Sequence, residues 1–302
     1  MRVLITGAGG TLGTALAPLL AEAGHEPVLF DVRPLETPYR FMQGDIRRLE
    51  DARKVVEGVE FVVHTAAIHG IHLRDHAPQQ FYDLNLTGTF NIWEAAAAAG
   101  VRGLVFSSTM GVYGDSRRPP RDEAVVALRE DVPLLPADVY GYTKVAGEEM
   151  CRYYGRRHGI PSVALRYGMF VPEPFFREGI RLLYGGVDAR DVARAVMAAM
   201  GALIDGTIRW DAFNVESLVP FGEEDGSQLR EDPLAVLDRY YPGAGDLLRG
   251  RGVERLAPIT KYYPMQHAAE VLGFRPERNF EQWLGELTAH PEARAETSPP
   301  WP

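Results

Sequence analysis

The sequence predicts an α/β fold in which a doubly wound parallel sheet carries a small, mixed C-terminal lobe. The first strand-like run, residues 2–6, leads directly into a glycine-rich turn and then into a helix-forming stretch. Apolar runs and helical stretches continue to alternate as far as residue 203, and this order is typical of a parallel sheet covered by helices on both faces. Beyond residue 216 prolines and glycines become frequent and the alternation stops, which indicates a less regular lobe.

Each apolar run in the alternating part is interpreted as a strand. The runs lie at 2–6, 27–31, 39–42, 60–64, 103–107 and 162–167, with a late strand at 211–215. The helical stretches between them supply the crossovers that parallel strands require. We therefore assign residues to three parts: 1–170, continued by 187–216, to the sheet domain; 171–186 and 217–290 to a small substrate-binding lobe; and 291–302 to a flexible tail.

The turn after the first strand has the glycine spacing of a Rossmann-type dinucleotide-binding site. Glycines at 7, 10 and 13 permit a tight turn, a close approach of the backbone to a pyrophosphate, and close packing of helix on strand. The first N–H groups of the following helix can bind the phosphates. The pattern assigns dinucleotide binding to Gly7, Gly10, Thr11, Leu12 and Gly13.

The second strand ends at Asp31, which lies 18 residues beyond Gly13. An acidic residue near this spacing binds the 2′-hydroxyl of the adenosine ribose, and its charge repels a 2′-phosphate. We therefore predict NAD rather than NADP as the cofactor. Arg33 could soften that preference. The alternative interpretation is that Asp31 caps a turn.

One of the three lysines, Lys144, follows Tyr140 by four residues. On a helix these positions share a face, so the ammonium and the phenol can point into one pocket. A nearby cation favours the phenolate and lowers the tyrosine pKa toward working pH. The pair therefore predicts a proton-transfer catalyst for an alcohol or a carbonyl compound.

These motifs together resemble the extended short-chain dehydrogenases/reductases, also called the NAD-dependent epimerase/dehydratase family. The resemblance runs from Met1 to about Ala199 and reappears near 261–287. The further segments that support it are Gly44-Asp45-Ile46, Val63-His64-Thr65-Ala66-Ala67, Asn85-Leu86-Thr87-Gly88-Thr89, Phe106-Ser107-Ser108-Thr109, Val112-Tyr113-Gly114, Arg166-Tyr167 and Asp191-Val192-Ala193.

The resemblance implies a catalytic trio. Thr109 would bind the substrate oxygen, Tyr140 would be the acid/base, and Lys144 would hold the nicotinamide ribose and lower the Tyr140 pKa. Asn85 would be a structural or relay residue. The alternative for the 107–109 segment is a polar strand end. The remaining residues that the resemblance assigns to the cofactor are Asp45, Ile46, Ala66, Ala67, Asn85, Ser107, Tyr140, Lys144 and Tyr167.

Two departures from the family pattern bear on the substrate. Met110 and Gly111 follow Thr109 where the family's dehydratases carry an Asp-Glu pair, and neither residue can transfer a proton, which disfavours dehydration. The segment between Arg166 and Asp191 has 24 residues, whereas nucleotide-sugar epimerases place dozens there. We therefore expect a substrate smaller than a nucleotide sugar.

Several side chains are candidates for contacting the substrate. His69 and His72 lie where a pocket-lining loop would fall, and Thr109 and Met110 flank the reacting oxygen. Arg177 stands one helical turn before Arg181, so the two could clamp a carboxylate or phosphate, with a solvated helix face as the alternative. The clustered histidines lack a metal-ligand spacing, so we predict no metal site.

Composition limits the partners. The net charge is −9 with no basic tract, so we predict no nucleic-acid partner, and no apolar run approaches membrane-spanning length. A single cysteine excludes an internal disulfide and favours a cytoplasmic protein. The family resemblance implies a homodimer through the helix before Asn85 and the helix that carries Tyr140.

Three functions remain open at this point. The first is an NAD-dependent dehydrogenase/reductase acting on a sugar-like or other small hydroxy substrate. The second is a sugar or nucleotide-sugar epimerase that oxidises and re-reduces one carbon with tightly bound NAD. The third is a non-enzymatic NAD sensor or scaffold, against which the intact Thr109, Tyr140 and Lys144 set argues, because a sensor needs no proton donor.

Overall fold

The computed structural model describes residues 1–119, 124–293 and 295. Within them, seven parallel strands form the main sheet: β1 Arg2–Thr6, β2 Glu26–Asp31, β3 Arg40–Gln43, β4 Phe61–His64, β5 Gly103–Thr109, β7 Ser162–Tyr167 and β8 Trp210–Val215. Two further short strands, β6 Val126–Ala127 and β9 Lys261–Tyr262, pair in parallel with each other. The helices and strands therefore alternate as predicted, and most predicted strand limits are within two residues of those observed.

Twelve α-helices are assigned among the described residues, and some of them cover both faces of the main sheet. The twelve are α1 Thr11–Glu22, α2 Leu49–Val56, α3 Pro78–Phe81, α4 Thr89–Ala99, α5 Val139–His158, α6 Phe175–Arg181, α7 Ala189–Ile204, α8 Gly226–Glu231, α9 Pro233–Tyr240, α10 Ala244–Gly250, α11 Gln266–Leu272 and α12 Phe280–Ala289. A π-helical segment, Tyr82–Gly88, joins α3 to α4. Among the described residues, no helix is both long and apolar enough to cross a membrane.

The strand order is β3-β2-β1-β4-β5-β7-β8. The chain moves outward from β1 to β3 and then crosses back to β4, so the winding reverses between β1 and β4. In open α/β sheets the crevice at the carboxyl ends of the strands on either side of such a reversal binds ligands. The glycine-rich turn follows β1 directly at this point. The predicted Rossmann-type, doubly wound parallel sheet is confirmed.

Two apolar cores sandwich the sheet. On one face Leu16 of α1 packs with Val196 of α7 against strand residues such as Ile5. On the other face α2, α4 and α5 pack over residues such as Leu4 and Phe106. Because both sides of the strands are covered, the strands read as continuous apolar runs rather than as alternating ones.

A third core lies in the C-terminal part of the chain. It joins Phe176 and Ile180 of α6 to residues from Phe221 onward, including Leu229 and Trp283. Gly179 is necessary there, because a Cβ on it would lie 1.8 Å from the Trp283 indole. The division at 171–186 and 217–290 stays a prediction. In the predicted tail 291–302, residues 294 and 296–302 lie outside the described residues.

Sequence patterns did not predict the β6–β9 ladder or its partners. Two-residue strands are too short to show a period. A second unpredicted contact between distant segments involves Asp191, at the start of α7. Its buried carboxylate accepts hydrogen bonds from the backbone N–H groups of Glu277 and Arg278, at 3.1 and 2.8 Å. These contacts join the C-terminal segments to the sheet domain.

A buried ion pair attaches α5 to the sheet. Arg166, on β7, donates through Nη2 to Oε2 of Glu148 at 2.8 Å and through Nε to its Oε1 at 3.0 Å. Both side chains are at most 2% exposed. The Ser108 hydroxyl also donates to Glu148, at 2.6 Å, and the Arg166 Nη1 donates to the Tyr113 hydroxyl at 3.1 Å. The lone pairs and protons of the ion pair are thus largely satisfied, as burial demands.

We predict that Glu148→Ala lowers the free energy of unfolding by about 3–5 kcal/mol, because Arg166 would keep its charge in the interior without a partner. Urea denaturation measures this. The matched control is Glu149→Ala, the next residue on α5, whose ion pair with Arg152 is solvent-exposed and contributes less than about 1 kcal/mol. Equal effects of the two substitutions would contradict the role given to the buried pair.

Candidate active site

The three predicted catalytic residues lie together at the carboxyl end of β5. Thr109 ends that strand, and Tyr140 occupies the first turn of α5. The Asp138 side chain caps the helix by accepting a hydrogen bond from the Gly141 N–H at 2.7 Å. A Cβ on Gly141 would lie 2.8 Å from the Gly111 carbonyl oxygen, so glycine allows α5 to begin close to the Thr109 turn. This close approach brings the Tyr140 side chain near that of Thr109, whose hydroxyl partly offsets the rise in the Tyr140 pKa that burial causes.

Lys144 lies one turn farther along α5 and is 3% exposed. Its Nζ donates a hydrogen bond to the Ser107 carbonyl oxygen at 2.8 Å. It also lies 5.1 Å from the centroid of the Phe106 ring and 5.9 Å from that of the Tyr140 ring. The ammonium is therefore anchored by the strand backbone beside the phenol, on the shared helix face that the sequence predicted.

The pKa of Tyr140 corrects one sequence-based expectation. Burial raises it to about 12, although the hydrogen bond with Thr109 works in the opposite direction. Burial also lowers the pKa of Lys144 to about 7. The expected depression of the Tyr140 pKa by Lys144 is thus outweighed, because withdrawing both groups from water favours their neutral forms. Tyr140 is protonated at neutral pH and is set to donate a proton.

Asn85 holds the loop that follows β4. Its Oδ1 accepts a hydrogen bond from the Ile68 N–H at 2.8 Å, and its Nδ2 donates to the Ile68 carbonyl at 2.9 Å and to the Thr143 hydroxyl at 3.1 Å. The residue lies in the π-helical segment, a rare geometry that often marks functional sites. These contacts fit the structural role; a relay role or a cofactor contact stays a prediction.

His69 borders the site. The His69 ring meets the Tyr140 ring edge to face, with centroids 6.2 Å apart. The His69 residue itself remains exposed. His72 is 43% exposed and lies 3.9 Å from Asp75. His69 is therefore the better placed of the two predicted substrate contacts.

The glycine-rich turn has the shape that a pyrophosphate needs. Gly7 has a φ of +66°, and a Cβ on Gly13 would lie 2.4 Å from the Ala8 carbonyl oxygen, so both positions require glycine. The helix that begins at Thr11 and Leu12 has no side-chain cap and no acidic residue in its first turn. Its N–H groups and dipole therefore remain available to an anion.

Asp31 faces this turn. Its Oδ2 accepts a hydrogen bond from the Gly9 N–H and its Oδ1 one from the Arg33 N–H, each at 2.9 Å. The Arg33 guanidinium donates to the Gly9 carbonyl at 3.2 Å and is 68% exposed. A buried carboxylate at the end of β2 is the group expected to select a free ribose hydroxyl.

The other predicted cofactor residues line the same edge of the sheet. Asp45 is held by its ion pair with Arg47, which lowers the pKa of the Asp45 carboxyl. Ile46 is buried, and its side chain occupies the space that a Cβ on Gly88 would take. Ala66 and Ala67 follow β4 and are half-buried. Ala66 lies directly beside Gly7, with its Cα 2.7 Å from the position of a Cβ there.

Two buried hydroxyls support the fit of a dinucleotide. Ser107 Oγ and Tyr167 OH are near neighbours, since Ser107 partly offsets the rise in the Tyr167 pKa that burial causes, but neither hydroxyl makes a full hydrogen bond among the described residues. Both lie at the carboxyl edge, on the neighbouring strands β5 and β7. A polar group buried without a partner is costly, so this pair is suited to a polar ligand. With the uncapped helix start and Asp31, these residues fit NAD.

The two arginines predicted to bind a substrate acid, Arg177 and Arg181, already contact a carboxylate of the chain, that of Glu173. Arg181 makes a two-point contact with Glu173, and Arg177 Nε lies 3.0 Å from the same carboxylate. Because Glu173 takes this place, Arg177 is less suited to a substrate acid than the spacing suggested. A cavity of about 230 Å³ lies beside this group, and its wall includes Thr11 and Arg190.

Sequence reasoning assigned no role to three further polar residues, Glu216, Lys261 and Tyr263. The rarity of lysine was a signal for Lys261, but no motif connected it to the site. No group of three or more His, Cys, Asp or Glu side chains in the described part of the chain could hold a metal ion.

Comparisons with known proteins agree with this site. The model of the NAD dependent epimerase/dehydratase family matches residues 3–173. A UDP-glucose 4-epimerase from Streptomyces lividans is 34% identical over 177 residues, which cover 55% of this chain and 51% of that protein, so the match spans about half the length of the epimerase. An L-arabinose 1-dehydrogenase (NAD(P)(+)) from Haloferax volcanii is 34% identical over 192 residues, covering 59% of this chain and 70% of the relative.

The structure of uronate dehydrogenase from Agrobacterium tumefaciens superposes with a TM-score of 0.69 at 23% identity. The superposition covers 100% of this chain and 91% of the other. At this level of identity the likeness concerns the fold, and it extends through the C-terminal lobe.

We predict that Lys144→Met changes how stability depends on pH. The folded-state pKa of Lys144 is about 7, against 10.5 as the ordinary value. Between these values the unfolded chain binds more protons than the folded one, so the free energy of unfolding of the wild type rises with pH. The difference in the free energy of unfolding between the wild type and Lys144→Met should therefore rise by at most about 1.4 kcal/mol per pH unit.

Urea denaturation of both proteins between about pH 7 and about pH 9 tests this sign. The control is Lys54→Met, which replaces an exposed lysine on α2. The difference in the free energy of unfolding between Lys54→Met and the wild type should stay constant with pH. A constant difference for Lys144→Met as well would contradict the lowered pKa.

Proposed function

The chain belongs to the NAD dependent epimerase/dehydratase family, and from this membership we propose that it transfers a hydride between NAD and an oxygen-bearing carbon of a small, sugar-like substrate. The observation that carries the proposal is the contact of Thr109, Tyr140 and Lys144 at the carboxyl end of β5. A hydroxyl and a carbonyl interconvert only if the oxygen exchanges a proton. The trio provides a group for that exchange beside the predicted cofactor site.

Each member of the trio has a separate task in this proposal. The Thr109 hydroxyl orients the substrate oxygen, and the Tyr140 hydroxyl exchanges that oxygen's proton. Lys144 remains tied to the Ser107 carbonyl and can stabilise the Tyr140 phenolate when the proton leaves.

NAD, when bound, supplies the hydride acceptor or donor. The chain would hold its pyrophosphate at Gly7, Gly10 and the start of α1, and its adenosine ribose at Asp31. Asp45 would meet the adenine, as the resemblance implies, and Ile46, Ala66 and Ala67 are further residues that it assigns to the cofactor. Ser107, Tyr167 and Lys144 would hold the nicotinamide end, where the two unpartnered hydroxyls support the assignment.

An NAD-dependent sugar epimerase is the alternative. The relative from Streptomyces lividans supports it, because the trio and bound NAD would serve both reactions. The short segment between Arg166 and Asp191 favours a dehydrogenase acting on a smaller substrate. NAD that remains bound through purification, together with an isomerised sugar and no net NADH, would favour the epimerase.

We also propose that 171–186 and 217–290 form the substrate-binding lobe. The separate apolar core of these segments supports this division, as does the position of the cavity beside Glu173. The single cysteine, Cys151, is buried as a free thiol. That state suits a cytoplasmic enzyme of carbohydrate metabolism.

A homodimer is a further part of the proposal. The resemblance implied a contact through the helix before Asn85 and the helix that carries Tyr140, and we place it on α4, which follows Asn85, and on α5. Tyr82 and Phe90 on one side, and Tyr142 and Tyr153 on the other, are large apolar side chains that are each about half exposed. They stand on elements that contact one another. An apolar patch on paired helices fits a second copy of the same chain related by a two-fold axis.

We predict that Tyr140→Phe lowers turnover by about 10²–10⁴-fold, because it removes the proton that the reaction exchanges. NAD affinity, measured by calorimetry, should change little. The matched control is Tyr142→Phe, which alters an exposed tyrosine two residues away on the same helix and should keep full turnover. Activity that survives Tyr140→Phe would remove Tyr140 from the catalytic role.

We predict that Tyr153→Glu converts the dimer to a monomer, because it places a charge in the apolar face. Light scattering coupled to size exclusion measures the mass of each species. Ile204→Glu, at an exposed apolar side chain at the end of α7, is the control and should stay dimeric. A monomeric wild type would reject the proposed interface.

A further inference from the structure

Four polar side chains outside the catalytic trio meet at the carboxyl edge of the sheet. Arg117 lies in the turn after β5, Glu216 follows β8 directly, and Lys261 and Tyr263 come from β9 and the residue after it. A Cβ on Gly168 would lie 2.1 Å from Glu216 Oε2 and 2.7 Å from the carbonyl oxygen of Gly185, the glycine that also borders the Tyr263 ring, so the Glu216 and Tyr263 side chains are near one another. The four side chains come from three separate segments of the chain, and the carboxyl edge of such a sheet is where ligands bind.

This cluster of Arg117, Glu216, Lys261 and Tyr263 adjoins the reacting oxygen's position. Arg117 Nη2 donates a hydrogen bond to the Met110 carbonyl at 2.9 Å, so the guanidinium is held by the residue after Thr109. The Met110 side chain and the Tyr263 ring both border Gly185, where a Cβ would lie 2.7 Å from Met110 Cε and 3.1 Å from Tyr263 Cε2. The cluster is therefore separated from Thr109 by a single residue.

The cluster contains polar atoms that the described residues leave unsatisfied. Both carboxyl oxygens of Glu216, which is 2% exposed, have no hydrogen-bond partner there, and the same holds for Tyr263 OH and Arg117 Nε. A buried polar atom without a partner is costly, and native structures contain few of them. Four such atoms in one place indicate a site built for a polar ligand.

The two cations do not pair with the acid. Among the described residues, neither Arg117 nor Lys261 comes within ion-pair distance of Glu216, and Lys261 makes no hydrogen bond to another side chain or to the backbone. The groups are close enough to shift one another's pKa but remain apart. A bridging group is therefore needed between them.

The charge of the cluster indicates what the bridging group is. Burial raises the pKa of Glu216 well above its ordinary value and lowers the pKa of Lys261, so a neutral carboxyl leaves the Arg117 charge uncancelled, and a bound anion would favour the charged form of Lys261. This local charge is opposite in sign to the net charge of −9 of the whole chain. Guanidinium and ammonium groups together suit a carboxylate, and a neutral Glu216 would not repel it.

We propose that Arg117 and Lys261 bind a carboxylate of the substrate while Glu216 and Tyr263 bind a neighbouring hydroxyl group, so that the substrate is a sugar acid. Arg117 and Lys261 are partly exposed and form the outer side of this subsite, whereas Glu216 and Tyr263 form its buried floor. The inference rests on the proposed function, which places the oxidised carbon beside Thr109.

The test measures binding rather than turnover. Calorimetry on the Tyr140→Phe protein saturated with NAD compares glucuronate with glucose and galacturonate with galactose. The acid of one pair should bind at least roughly tenfold more tightly than its neutral partner, as a charged hydrogen bond provides. Lys261→Met should remove this preference, and Lys261→Arg should restore most of it.

Two further variants locate the effect. Lys54→Met removes an exposed lysine far along the chain and should leave the preference unchanged. Glu216→Gln keeps a neutral, hydrogen-bonding side chain, so acid binding should weaken by less than about threefold. Glu216→Ala should weaken the acid and the neutral sugar alike, because it removes the contact with their shared hydroxyl.

Equal binding of acids and neutral sugars, no binding of the acids, or a preference that persists in Lys261→Met would each overturn the proposal and leave the cluster as a site for internal water. Failure of the proposed function gives a different pattern. Acid binding that depends on Lys261 without any turnover of the wild type would reject the reaction and keep the subsite. Turnover restricted to neutral or nucleotide sugars would keep the proposed reaction and reject the carboxylate subsite.

Discussion

The buried ion pair between Arg166 and Glu148 determines where α5, the helix that carries Tyr140 and Lys144, lies on the sheet. Glu148 is one helical turn beyond Lys144, and Arg166 extends from β7, next to the strand that ends in Thr109. The hydroxyls of Ser108 and Tyr113 complete the network. A small shift of α5 would break these contacts, so they set the distance from Tyr140 to Thr109. Catalytic geometry must be held within a fraction of an ångström, and a closed network of buried polar groups provides that rigidity.

Burying ionisable groups at this site also lowers the stability of the folded chain. Lys144 is buried and Tyr140 is half-buried, and this partial withdrawal from water shifts both pKa values toward the neutral forms. Glu216 is shifted in the same sense. Such displaced values are typical of places where a protein gives up stability for chemistry. The same burial that makes these groups costly in the folded chain strengthens their interactions with a ligand, because the local dielectric constant is low.

Much of the architecture could be predicted from the sequence because its determinants are local. The strand–glycine–helix order, Asp31 at the end of β2, and the four-residue spacing of Tyr140 and Lys144 all lie within short segments. The family resemblance added Thr109 by its position relative to neighbouring motifs. In each case one helical turn or one strand end determines which side chains meet.

The remaining features depend on contacts between distant segments. The pairing of Arg166 with Glu148, the β6–β9 ladder, and the meeting of Arg117 with Glu216 join residues that no local pattern connects. The direction of the Tyr140 pKa depends on burial, which the sequence does not show. Likewise, the spacing of Arg177 and Arg181 predicted that the two side chains bind a substrate carboxylate or phosphate, but both form ion pairs with the carboxylate of Glu173.

The most direct test of the central claim is NADH absorbance after the purified protein is mixed with excess NAD and separate pools of neutral sugars, sugar acids, sugar phosphates and nucleotide sugars. The account predicts net NADH formation with the pool of sugar acids. A protein that binds NAD but forms no NADH and isomerises no sugar in any pool would contradict it.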